Sequence, residues 1–198
     1  MSDLISMFQD LQSNYADEFI IHNLSQLAVP LLTPVLRRQM ILWNPFEQTE
    51  GGLPPSAALF QAPHRTPTFC YEIYSNLKQL LYSTGNVHAM GPYDRIVWET
   101  WMPAFRRLLT GLSMRECGLE CVDLLKTWTS LLAPWMLENI LEQMIMPKLT
   151  SQVDVWNPLT DTVPIHQWIH PWLPLLKDRL DGKYTKKALQ MYQLFNLA

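Results

Sequence analysis

Apolar residues in this chain recur every three or four positions, and prolines keep breaking into that rhythm. The interval is the repeat of an α-helix, which brings positions i, i+3, i+4 and i+7 onto one face. Leu4, Phe8, Leu11 and Tyr15 keep it near the start, and Phe19, Ile20, Leu24, Leu27 and Ala28 carry it from Asp17 to Ala28. Tyr71 to Tyr82 reads as another helix, with Gly85 beyond its end. Ile96, Val97, Trp101, Phe105, Leu108 and Leu109 trace a longer stripe behind Pro92, a residue suited to a helix start. Cys117 to Leu132, Trp135 to Met146, and about Thr185 to Phe195 complete the series. The two-residue alternation of a half-buried strand is essentially absent. The fold class this predicts is all-α.

Prolines number 15 and glycines only 7, the reverse of the usual balance. A proline inside a helix lacks the amide donor and crowds the preceding turn. Pro30 and Pro34 should therefore end one helix, with Val35 to Leu42 forming a separate short one. Pro103 should kink or split the helix that carries it, and Pro147 should interrupt another. Residues 46–68 hold Pro54, Pro55, Pro63, Pro67, Gly51 and Gly52 without a clear period, which predicts a long loop and hinge. A weak internal repeat runs through the chain. Pro34 precedes Trp43-Asn44-Pro45 by nine residues, as Pro147 precedes Trp156-Asn157-Pro158, and Leu36 then corresponds to Leu149. The expected architecture is an irregular, helical-repeat-like bundle of antiparallel helix pairs with proline-marked turns, whose grooves would receive partners. The whole of residues 1–198 reads as a single domain.

Length and composition exclude several classes. At 198 residues the chain can bury a sizeable core, and 48% of it is hydrophobic. Only 17% is charged, where a soluble domain usually carries about a quarter. Disorder and collagen-like repeats are thereby excluded. No run approaches the length of a membrane-spanning helix. Cys70, Cys117 and Cys121 are too few, and odd in number, for a secreted disulfide framework. The opening MSDLISMFQD lacks the pattern of a secretory signal, so an intracellular chain is expected.

The residues that could carry chemistry are sparse. His166 and His170 share a helix face at i, i+4, as do Cys117 and Cys121. Position 167 is Gln, so the metalloprotease motif fails, and the two cysteines lie on an apolar stripe with Leu124, Leu125 and Trp128. No metal and no cofactor is expected. No Gly-x-Ser-x-Gly elbow or phosphate-binding glycine loop exists, and His22, His64 and His88 have no partner motif. Glu138 and Glu142 read as a solvated helix face. A non-enzyme is the expectation. Basic residues gather late: Lys177, Arg179, Lys183, Lys186 and Lys187 stand against Asp178 and Asp181, with Tyr184 and Tyr192 nearby. That is one electrostatic footprint for nucleic acid, but the chain as a whole carries −3.

The densest segment is WNPLTDTVPIHQWIHPWLP, residues 156–174. Asp161 or Thr162 could cap a helix whose first turn holds Pro164. Ile165, Trp168, Ile169 and Trp172 then share one apolar face, and Pro171 and Pro174 keep the helix from running straight. Trp156, Trp168 and Trp172 are either core rings or partner anchors, with the core role favoured for most of them.

This segment resembles the signature of the tuftelin-interacting protein family, the septin- and tuftelin-interacting proteins. YDRIVWETWMPAFRRLL (93–109), APWMLENILEQMIMPKL (133–149) and ADEFIIHNLSQLAVPLLTPVLRRQMILWNPF (16–46) resemble further parts of it. The similarity spans about residues 3–180 and covers the domain named for GC-rich sequence DNA-binding factor. It implies an all-helical interaction scaffold of a nuclear pre-mRNA splicing factor that helps dismantle the intron-lariat spliceosome. The partners implied are spliceosomal proteins, with a related helical domain as a further candidate. The family's G-patch, which engages a DEAH-box RNA helicase, has no counterpart in these residues, so a fragment or a truncated relative is expected. Exposed members of Trp156, Trp168 and Trp172, with His166 and His170, are the expected protein contacts. The alternative is a nucleic-acid-binding module using Arg179, Lys183, Lys186 and Lys187.

Overall fold

The computed structural model describes residues 2–41, 43–45, 67–81, 90–157 and 159–176. Every regular element among them is helical, so the chain is all-α. In order these are α1 (Ser2–Asn14), α2 (Ala16–Ile21), α3 (Leu24–Met40), α4 (Pro67–Leu81), α5 (Pro92–Gly111) and α6 (Gly118–Trp128). There follow α7 (Pro134–Ile140), a π-helical turn (Leu141–Ile145), α8 (Met146–Val155), α9 (Ile165–Ile169), a 3-10 turn (His170–Trp172) and α10 (Leu173–Leu176). The expected hinge loop lies outside the described residues except at its end, where Pro67 opens α4. The expected last helix, and Lys177, Arg179, Lys183, Lys186 and Lys187, also lie outside them. The chain divides into two compact units, Met1–Leu108 and Leu109–Ala198.

In the first unit α1 buries Ile5 and Phe8 and ends before Tyr15, which is exposed. The run expected from Asp17 to Ala28 is broken at Asn23, whose φ of 51° is left-handed. Asparagine tolerates that conformation better than most residues. Beyond it α3 buries Ala28, Leu32, Leu36 and Met40 at four-residue intervals. Arg107 closes the far end of α3, donating from Nη2 to the Met40 carbonyl at 2.7 Å. Trp101 of α5 stacks on Phe105 at 4.8 Å between centroids and meets Trp43 at 6.2 Å. The Thr100 hydroxyl donates to the Ile96 carbonyl at 2.6 Å and lies 2.6 Å from the Tyr74 hydroxyl.

The breaks expected at Pro30 and Pro34 do not occur, and α5 is not split at Pro103. Helix α3 runs unbroken through Pro30 and Pro34, and α5 runs through Pro103. All three prolines are exposed, so the carbonyls that lose their helical donors lie on the outer side of each helix. In α5 the deprived carbonyl is that of Glu99, and Arg37 Nε donates to it at 3.1 Å. The opposite face of each helix is buried, and that packing holds the helical course. At Pro147 the expected interruption takes the form of a change of helix type, with Pro147 in the first turn of a new α-helix, α8. The preceding turn widens to π geometry, with the Met146 amide bonded to the Leu141 carbonyl five residues back. Proline therefore stands at helix starts at Pro67, Pro92, Pro134 and Pro147 but does not end α3 at Pro30 or Pro34.

In the second unit α6 buries Cys121, Val122, Leu125 and Trp128, while α7 and the π turn bury Met136, Ile140, Leu141 and Ile145. The Lys148 ammonium donates to the carbonyls of Leu109 and Leu112, which lie at the end of α5. Helix α9 and the 3-10 turn pack on α6. Gly118 lies at this contact: a methyl at its position would stand at ordinary van der Waals distance, 3.5 Å, from both the Trp168 carbonyl and Trp172 Nε1.

Candidate partner-binding surface

The tryptophan-rich segment separates into a buried half and a displayed half. Ile165, Trp168, Ile169 and Trp172 form the expected apolar face, and each is at most 4% exposed. Trp168 and Trp172 are thus core rings, and truncating either would cost about 3–5 kcal/mol. Trp156 is half-buried and His170 is exposed. His166 falls on α9, and its side chain lies outside the described residues.

The displayed half is the turn between α8 and α9. Its backbone is fixed by local hydrogen bonds. The Asn157 amide donates to Asp161 Oδ2 at 2.8 Å, and the Leu159 amide donates to Asn157 Oδ1 at 3.0 Å. The amides of Thr160 and Asp161 both reach the Asn157 carbonyl, at 3.2 and 2.9 Å. The side chains of Asn157 and Asp161 thus do what such residues do in tight turns, standing in for backbone partners. Trp156 Nε1 donates to the Val163 carbonyl at 3.2 Å and spans the base of the turn. Asp161 does not cap α9 as expected, because its carboxylate turns back to Asn157.

Arg115, a residue the sequence reading passed over, ties this turn to the rest of the unit. Its Nη1 donates to Asp161 Oδ1 at 3.2 Å and its Nη2 to the Gln152 carbonyl at 3.1 Å. Its guanidinium also lies over the Trp168 ring, 5.5 Å from the centroid. One planar cation thereby holds the end of α8, the turn and α9. Nothing in its local sequence marks Arg115, since its partners lie 37 to 53 positions away. Leu159 was equally unmarked, although Asn157 and Asp161 on either side of it are a readable turn signal.

The turn holds Leu159 outward at 91% exposed, and Val155 at the end of α8 is 76% exposed. An ordered turn that offers a large apolar side chain to solvent suits capture of a partner side chain, because little ordering remains to oppose binding.

The remaining expected groups fall elsewhere. Burial pushes the Cys121 thiol up to about 12, and burial followed by Glu120 and Glu116 raises Cys117, so neither favours a thiolate at neutral pH. Glu138 is exposed, Glu142 is half-buried and His22 is exposed. His64 and His88 lie outside the described residues. No helix among the described residues is long and apolar enough to cross a membrane.

Comparison with known proteins places this geometry in a family. The model of the GC-rich sequence DNA-binding factor-like protein family matches residues 1–194. Tuftelin-interacting protein 11 of Xenopus tropicalis is 37% identical over 185 residues, covering 90% of this chain and 20% of that protein. The Danio rerio and Homo sapiens proteins of the same name are each 35% identical over 191 residues, covering 93% of this chain and 21% and 20% of theirs. The chain spans about a fifth of the length of these relatives. With its model matching nearly the full length and an all-helical fold beneath it, the chain belongs to the GC-rich sequence DNA-binding factor-like family.

Proposed function

We propose that residues 1–198 form one non-catalytic protein-interaction domain of a nuclear pre-mRNA splicing factor that acts in disassembly of the intron-lariat spliceosome. Its partners are spliceosomal proteins, with a related helical domain among the candidates. A DEAH-box RNA helicase would be engaged by a G-patch outside these residues. The family membership and the naming of its relatives as interacting proteins support this reading. The observation that carries the binding role is the Leu159 turn, which offers exposed Leu159 and Val155 beside half-buried Trp156 on a fixed backbone. Trp156 spans its base, Trp168 lies under Arg115, which braces the turn, and His170 is exposed beyond α9.

The test is capture from nuclear extract, with and without nuclease, by the parent chain and by a Trp156→Ala, Leu159→Asp variant. Splicing factors should be retained after nuclease by the parent and lost by the variant, while both give the same circular-dichroism spectrum. Loss of every partner on nuclease treatment would instead favour nucleic-acid binding through Arg179, Lys183, Lys186 and Lys187. Capture unchanged by the double substitution would remove the turn from the interface.

A further inference from the structure

The exposed prolines of α3 line a groove that the reading above leaves unused. It lies within the first unit and has a volume of about 530 Å³. Pro30, Pro34 and Val29 form its apolar wall, and Arg37, Arg95 and Glu99 form its polar end. Leu27 and Leu31, 54% and 49% exposed, fall at i, i+3, i+4 and i+7 with the two prolines, so the wall continues as an apolar stripe along α3.

The polar end is organised before any ligand arrives. Glu99 receives Arg37 Nη2 on Oε2 at 3.1 Å and Arg95 Nε on Oε1 at 3.0 Å. Two guanidiniums share one carboxylate, which leaves the polar end one unit positive on a chain that is −3 overall. Arg95 is pinned by its Nε alone, so its two Nη groups retain their outward fork, the geometry that pairs with a carboxylate through two parallel bonds. Both arginine side chains are more than half exposed.

The groove also holds unused hydrogen-bonding capacity. Because Pro30 and Pro34 have no amide donor, the carbonyls of Gln26 and Pro30 lose their helical partners, and both residues line the groove. A helix face with spare acceptors, an apolar stripe and an arginine fork at one end matches a short peptide carrying apolar residues and a carboxylate. Resting on the protein-interaction reading, we propose that the Pro30–Pro34 groove docks a short linear segment of a protein partner, whose Asp or Glu side chain is held by Arg95 beside Arg37.

The test selects random 12-residue peptides displayed on phage against the whole chain, then measures the enriched peptides by fluorescence polarisation. Enriched sequences should carry Asp or Glu next to apolar residues. Arg95→Gln should weaken them about tenfold or more, as should replacing the peptide carboxylate by its amide, and the two changes together should cost little more than either. Leu31→Asp, on the exposed stripe, should weaken the same peptides. Thermal midpoints of both variants should stay within about 2 °C of the parent, since both side chains are largely exposed. The proposal is overturned if no peptide is enriched, if the enriched peptides lack acids, or if they bind the Arg95→Gln variant equally. Displacement of the groove's dependence onto a single-stranded RNA, bound through Arg95 with no peptide competing, would also overturn it. Capture of splicing factors that persists in the Arg95→Gln variant removes this groove alone and leaves the Leu159 turn standing.

Discussion

Arg115, which braces the turn between α8 and α9, and Leu159, which that turn displays, should respond oppositely to substitution. Arg115→Ala removes two hydrogen bonds and a ring contact at once, and it leaves Asp161 without its cation. Hydrogen bonds that involve a charged group contribute about 1.5–3 kcal/mol when buried. Here both ionic side chains are over a quarter exposed, so the ion pair itself adds little. A total loss of about 1–3 kcal/mol follows, read as a fall of several degrees in the thermal midpoint. Leu159→Asp should change stability by less than about 0.5 kcal/mol, because the side chain touches almost nothing. Equal losses in the two variants would contradict this division into brace and display. Part of this was legible in the sequence. Asn157 and Asp161 announce a turn by chemistry that acts over four residues, and the i, i+3, i+4, i+7 spacing of Ile165, Trp168, Ile169 and Trp172 gave their common face. Arg115 was not legible, because its partners are set by how the unit closes.

Helices α3 and α5 show how a proline can be carried inside a helix when something else serves the carbonyl it deprives. Arg37 does this for Glu99 across 62 positions, bonding backbone and side chain of the same residue. A double-mutant cycle isolates the effect. Pro103→Ala gives the Glu99 carbonyl a helical donor and removes a poor helix former, so it should stabilise the protein by about 1 kcal/mol or more. Arg37→Ala should cost about 1 kcal/mol in the parent and distinctly less beside Pro103→Ala, a coupling of about 0.5–1 kcal/mol in urea unfolding. Additive effects would mean that Arg37 does not serve the proline. The local rule that proline ends a helix misjudged Pro30 and Pro34 for one reason. It weighs the lost bond and the crowded turn but not the burial of the opposite face, where Leu32 and Leu36 are fully enclosed. At Pro67, Pro92 and Pro134 proline stands in a first turn, where its missing amide has no helical partner to lose, and of the three only Pro92 is marked as a helix start by the sequence pattern.

Two buried tyrosines and two buried cysteines give the whole molecule a particular response to alkali. Tyr74, Tyr93, Cys70 and Cys121 are each at most 2% exposed. Burial raises all four: Cys70 to about 11, Cys121 to about 12, and both tyrosines further above their ordinary value. For Tyr93 the neighbouring Tyr74, Asp94 and Tyr71 add to burial, and its hydroxyl has no hydrogen-bond partner. In the unfolded chain the thiols lose their protons near pH 9 and the phenols near pH 10. The folded chain keeps them well beyond that, so between these values the unfolded state binds fewer protons and stability falls as pH rises. Each group contributes a slope of about 1.4 kcal/mol per pH unit once it ionises in the unfolded chain alone. Urea midpoints should therefore be nearly level from pH 7 to 8.5 and drop steeply between pH 9.5 and 11, as several groups ionise together. Tyr74→Phe loses the bond to Thr100 and lowers the curve throughout, yet it should flatten the alkaline limb by removing one titrating group. A limb of unchanged steepness in that variant would show that Tyr74 ionises as readily in the fold as out of it, which its complete burial against Thr100 does not allow.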